Sequence, residues 1–162
     1  MRHSMIFANS ASLFLLLVLC MTCLPARAQN QTPANLPQPV GWTDPATGLN
    51  WTSEDNGSDV NWNQAVAYCT NLRLGGYSDW RLPTIDELVG IYDPAISVPG
   101  QWYGRAVSWH VKGNLKITSK YEWSSTQKNV KDAWTLPFAF NKESRINYPI
   151  HLRYPRALCV RR

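Results

Sequence analysis

The residues with the strongest chemical bias in this chain are cations, and they gather at one end. Gly100 to Arg162 holds twelve lysines and arginines against Glu122, Asp132 and Glu143, a balance of 12 − 3 = +9. Gln29 to Pro99 holds eight acids against Arg73 and Arg81, a balance of 2 − 8 = −6. Lys112, Lys116, Lys120, Lys128, Lys131, Lys142, Arg145, Arg153 and Arg156 are therefore the candidate contacts for a polyanion. Each cation that pairs with a charge on such a polymer displaces condensed counterions, and their release drives binding. The competing reading is a charge that only keeps the chain soluble. Trp102, Tyr103 and Trp109 adjoin the basic stretch and offer flat faces to sugars, although with eight tryptophans in the chain core packing claims most of them.

Other constellations read as structural. Trp80 and Arg81 could grip an anionic sugar, but Asp79 and Arg81 flank a large aromatic just before a helix, the pattern of a turn pinned by an ion pair. Trp123-Ser124-Ser125-Thr126 lacks the Gly-x-Ser-x-Gly elbow of a nucleophile and reads as a core tryptophan with hydrogen-bonding hydroxyls. His110 and His151 are not spaced as a zinc pair, and the acids of Glu54 to Asp59 do not follow the order of an EF-hand loop, so that stretch reads as a solvated acidic loop. No phosphate-cradling glycine loop precedes a helix. No enzyme, cofactor or metal is expected.

The first 28 residues form a separate object. Arg2 and His3 give a basic start, Ser12 to Leu24 is apolar, and Ala26-Arg27-Ala28 is a signal-peptidase site, so cleavage is expected before Gln29. The apolar run is shorter than the ~20 residues of a membrane span, and no transmembrane segment is expected. Leu19 and Thr22 precede Cys20 and Cys23 where a lipidation signal wants Gly or Ala. Residues 29–39, rich in Pro, Gln and Asn, read as a flexible leader, and 40–162 as one domain. After processing only Cys69 and Cys159 remain, and in an oxidising compartment they are expected to pair; two buried free thiols are the alternative.

These residues must be positioned by few elements. Asp44-Pro45-Ala46-Thr47-Gly48 is a turn, followed by a short strand carrying Leu49 and Trp51 on one face. Asn61 and Gln64 cap a first helix with Trp62, Ala65, Val66, Cys69 and Leu72 at helical spacing, ended by Gly75-Gly76; Thr84 and Glu87 cap a second with Ile85, Leu88, Val89 and Ile91. The remainder reads as extended. Val111, Leu115, Ile117 and Tyr121 alternate with Lys112, Lys116 and Lys120, which share a strand face unless Gly113-Asn114 is a hairpin turn; either way the lysines stay together. Trp134, Leu136, Phe138 and Phe140 alternate next, Asn141 to Ser144 turns the chain into a strand at 145–148, and 157–161 is the last strand.

The order of the motifs is itself informative. Asp44 to Trp51 is followed by Trp62-Asn63-Gln64-Ala65 with Tyr68-Cys69, then Gly76-Tyr77-Ser78-Asp79-Trp80-Arg81-Leu82-Pro83-Thr84 with Glu87-Leu88, then Trp123-Ser124-Ser125-Thr126, and last Cys159-Val160-Arg161. Together they resemble the Lcl C-terminal domain family of exported bacterial modules over nearly all of Val40 to Arg162. The resemblance implies an α+β, C-type-lectin-like fold: two helices packed on short antiparallel strands, with one long-range disulfide. It also implies adhesion through sulfated glycosaminoglycan-like polysaccharides. The chain departs from calcium-dependent lectins in lacking their Glu-Pro-Asn and Trp-Asn-Asp triplets, and it has no collagen-like segment. The expected function is an exported, non-enzymatic, adhesin-like module for an anionic polysaccharide or envelope polymer, at the periplasm or cell surface, where nucleic acid is a less available polyanion. The alternative is an envelope protein-interaction module with an aromatic contact surface. Self-association of copies is left open.

Overall fold

The computed structural model describes residues 40–140 and 144–162. The expected signal peptide, the leader, Lys142 and most of the turn at 141–144 lie outside the described residues. The described chain is α+β, with ten elements: β1 (Trp42–Thr43), β2 (Asn50–Trp51), α1 (Trp62–Asn71), α2 (Ile85–Ile91), β3 (Val98–Trp102), β4 (Arg105–Trp109), β5 (Tyr121–Asn129), β6 (Asp132–Pro137), β7 (Ile146–Pro149) and β8 (Val160–Arg161). All strand pairs are antiparallel, in the orders β1-β2-β8, β3-β4 and β5-β6-β7.

Local chemistry explains the helix starts. Asn61 accepts from the Gln64 N–H at 2.9 Å while the Asn61 N–H donates to Gln64 Oε1 at 3.1 Å, so two donors that a helix start leaves unpaired are satisfied reciprocally. Thr84 and Glu87 repeat the device, at 3.2 and 2.8 Å. Asp44 builds the turn before β2 by accepting from the Ala46 N–H and the Thr47 hydroxyl, and Gly48 closes it at φ +72, a conformation that costs a residue without Cβ little. Leu49 and Trp51 beyond it are buried as expected.

The core has two parts. One gathers Trp51, Leu88, Ile91, Trp109, Val111, Leu115, Ile117, Leu136, Phe138, Leu158 and Val160; the other gathers Ala65, Cys69, Trp80, Leu82, Trp123, Ala133, Ala157 and Cys159. The Cys69–Cys159 disulfide lies inside the second and ties α1 to the residue before β8. Both of its sulfurs are fully buried.

The stretch from Val111 to Tyr121 departs from the expected strand. Its apolar positions are buried as the alternation predicts, yet the backbone turns at Gly113 (φ +71), and Val111 and Lys116 make only isolated bridges, to Tyr92 and Glu54. Burial period and strand pairing are separate properties here: the apolar side chains plug the core from an irregular loop whose backbone groups bond to α2 and to the 53–55 segment. β6 departs too, because Thr135 and Pro137 are buried along with Leu136. The Thr135 hydroxyl donates to the Ile146 carbonyl at 2.8 Å, which lets a polar side chain lie inside.

Candidate functional site

The three lysines of the expected stripe separate. Lys112 Nζ donates to the Gly90 carbonyl at 2.9 Å, Lys116 lies 3.4 Å from Glu54, and Lys120 sits over the rings of Phe140, Trp102 and Tyr121, 4.4 Å from the first centroid. A straight lysine face needed a continuous strand, and the turn at Gly113 removes it. Of the other candidates, Lys128 donates to Asn147 and caps the Trp134 ring, Arg145 pairs with Asp86 at 2.9 Å, and Lys131 and Arg153 are exposed. Arg156 points inward. Its Nε lies 3.1 Å from Asp59 and its Nη1 3.8 Å from Asp55, with only 18% of the side chain exposed. The acidic 54–59 stretch is solvated at Glu54, Gly57 and Ser58, but Asp55 departs from that reading: it is buried and accepts from the Thr118 N–H and hydroxyl and from the Gly57 N–H.

The residues expected to form a structural motif take up the following partners. Trp123 is fully buried and donates to the Val60 carbonyl, and half-buried Trp62 donates to the Ser124 carbonyl, both at 2.8 Å. The Ser124 hydroxyl reaches the Trp134 carbonyl at 2.7 Å, and Thr126 Oγ1 accepts from the Ile85 N–H at the start of α2. Trp80 is buried and donates to Leu74. Asp79 and Arg81 do not pair with each other. Consecutive odd positions across Trp80 face different elements, so Arg81 forks onto Glu87 at 2.7 and 2.6 Å while Asp79 holds Arg161 at 2.7 Å, with the Arg161 guanidinium 3.5 Å over the Tyr77 ring. Burial alone would raise the Glu87 carboxyl, but the Arg81 fork and the Thr84 N–H outweigh it and hold Glu87 below the usual range.

A cleft of about 550 Å³ opens between the β3–β4 hairpin and the 113–118 loop. Trp109, Leu115 and Ile117 supply apolar wall; Gln101, Asn114, Lys116 and Thr118 supply polar groups. Its size falls in the range of ligand sites, and its mixture of an indole, two amides and an ammonium suits a hydroxylated acid. The Lys116 side chain is 71% exposed. Gly100 is required at this wall, because a Cβ there would stand 1.9 Å from the Trp109 indole nitrogen.

The hairpin tip carries the aromatics. Tyr103 and Gly104 form the two-residue turn, both at positive φ (47° and 73°), the geometry that matches the twist of paired strands but that a bulky side chain rarely adopts. Tyr103 is 68% exposed, and its hydroxyl donates to Asp59 Oδ2 at 2.6 Å. Trp102 packs edge-on to Tyr103 and Tyr154, which continue into Tyr121 and Tyr148. Burial, with the Tyr121 hydroxyl beside it, pushes the Tyr148 phenol up to about 12. Trp109, by contrast, is core.

Beneath this surface Glu122 is fully buried, and neither carboxyl oxygen has a hydrogen-bond partner. Burial first, then Asp55, push it well above the usual carboxylate range, with Arg156 opposing. Nothing in the sequence marks it, because alternation with Tyr121 and Trp123 places it on what reads as the solvent face. The Tyr103-Gly104 turn did have a signal, an X-Gly pair between extended runs.

The comparisons agree with the motif order rather than with any single residue. No curated protein matches the chain. The family model of the Lcl C-terminal domain matches residues 41–161, which include α1, the run from Gly76 to Thr84, the buried Trp123 and the Cys69–Cys159 bridge, and the chain belongs to that family.

Proposed function

We infer that this domain is an exported, non-enzymatic binding module with a C-type-lectin-like fold, acting in the periplasm or at the cell surface, and that its ligand is an anionic polysaccharide. The fold reading rests on the layout: early helices, the first and last described strands meeting in β1-β2-β8, hairpins between them, and a bridge from α1 to the residue before β8. The ligand reading rests on the cleft beside β3–β4, which an exposed ammonium, two amides and a threonine hydroxyl line together. Lys116 pairs with an acidic group there, and Gln101 and Asn114 address hydroxyls. This narrows a nine-residue basic face to one cleft; Lys116 itself lies 3.4 Å from Glu54, an exposed pair that an acidic ligand would displace.

A heparin titration over a salt series tests the reading. Lys116→Gln should weaken binding roughly five-fold and flatten the slope of log affinity against log salt by about one counterion. Unchanged affinity and slope would remove the cleft from consideration. Exposed Tyr103, with half-buried Trp102 packed edge-on against it, favours the second reading, a protein partner on an aromatic surface; absence of heparin binding at low salt would point there.

A further inference from the structure

Two carboxylates meet one guanidinium behind the hairpin tip, and a third, buried carboxyl feels the charge of all three. Asp55 and Asp59 come from the acidic stretch, Glu122 from β5, and Arg156 from the segment before β8, which bridges to Glu122 through the backbone. Arg156 is committed to the first two carboxylates and to the Thr118 hydroxyl. Asp59 uses its other oxygen to accept from Tyr103. Asp59 and Arg156 keep some contact with water, whereas Glu122 is sealed from it with no donor aimed at either oxygen, and it is therefore the group that must keep its proton.

We propose that this cluster is a proton-operated latch on the β3–β4 hairpin: protonated Glu122 leaves Arg156 to position Asp59 under Tyr103, whereas ionised Glu122 draws Arg156 away, so that partly exposed Asp59 loses the partner that holds it in place, turns to water and releases the tip. The hairpin is suited to such control. β3 and β4 pair only with each other among the described residues, and a two-stranded ribbon is marginal without side-chain support. Its tip holds a bulky residue at positive φ, a strain that the Asp59 hydrogen bond opposes and whose relief favours opening. The charged groups that face Glu122 are Asp55, Asp59 and Arg156; the β6 residue paired with it is Leu136, which offers no charge to replace Arg156. The carboxyl's displacement above its usual range puts the release on the alkaline side of the ordinary carboxylate titration.

Hydrogen exchange of the ligand-free protein between pH 5 and pH 9 tests the latch, with Glu122→Gln as the neutral isostere. Base catalysis of exchange is common to both proteins, so the ratio of their rates isolates opening. For the amides of Val98–Trp109 the wild-type-to-variant ratio should rise at least three-fold as pH rises, while β6 amides keep a constant ratio. Tyr103→Phe, which keeps the ring and removes the donor, should exchange fast at both ends of the range. A flat ratio in the hairpin overturns the latch. So does a carbon-13 titration of the wild-type protein in which Glu122 ionises at an ordinary pH. The hairpin lines the proposed cleft, so a pH-dependent affinity there rests on the polysaccharide reading. Failure to bind heparin would sink that reading and leave the exchange result standing, and the reverse holds for a flat exchange ratio.

Discussion

A carboxyl sealed from water with no donor aimed at it holds its proton more tightly in the folded chain than in the unfolded one, and this ties Glu122 to stability as well as to motion. The sign follows from proton counting. Below its usual value of 4.5 both states are protonated and Glu122 adds no pH-dependent cost; as pH rises past that value the unfolded chain releases the proton first, and stability falls until the folded carboxyl also ionises. Glu122→Gln should therefore melt higher than wild type at pH 8, by roughly 4 °C for each 1 kcal/mol recovered. The gap should close at pH 4. Equal gaps at both pH values, read by calorimetry, would mean that the amide acts by packing and not by removing a titration. Residue-scale chemistry of this kind was poorly legible in the sequence, because the pairing of Arg156 with Asp55 and Asp59 joins positions about a hundred apart that no local pattern connects.

At the scale of elements, what was legible was what the chain decides locally. Both helix starts carry their capping pairs in the sequence, and the structure places α1 and α2 behind them. The lysine stripe failed for the opposite reason. Val111, Leu115, Ile117 and Tyr121 are buried as their spacing implies, but whether such a segment forms a strand depends on a neighbour to pair with, and its neighbours are a helix end and an irregular loop. The α2 cap combines both kinds of information, since Glu87 serves the Thr84 N–H locally and Arg81 from outside the helix. Glu87→Ala removes both at a partly exposed site, and should cost about 1–2 kcal/mol in urea unfolding at pH 7. Because Glu87 is held below its usual range, its contribution is present above 4.5 and is lost as pH falls through the folded value, so the difference between variant and wild type should shrink at acid pH. A constant difference across pH would show that the lost stability comes from packing of the side-chain stem.

Over the whole molecule, the charge split along the chain becomes a set of links between its halves. Glu54, Asp55, Asp59, Asp79 and Asp86 from the acidic half meet Lys116, Arg156, Arg161 and Arg145 from the basic half. Four of the twelve cations of the second half, Lys116, Arg145, Arg156 and Arg161, thus meet carboxylates of the first, which a sum over sequence does not show. The disulfide is the covalent counterpart of those links, joining positions 90 apart within a dry core. Its effect falls mainly on the unfolded state, whose freedom it restricts by closing a long loop, and the chain-entropy relation assigns a loop of this length between 4 and 5 kcal/mol, about half the stability of an ordinary domain. The Cys69→Ser, Cys159→Ser double variant should lose about that much in urea unfolding, a little more where two buried hydroxyls replace the bridge. The slope of stability against urea should also steepen, because an uncrosslinked chain exposes more surface when it unfolds. A loss below about 1 kcal/mol with an unchanged slope would mean that the ion pairs and core already hold the two halves together without the bridge, and that the unfolded chain is compact enough for the crosslink to restrict little.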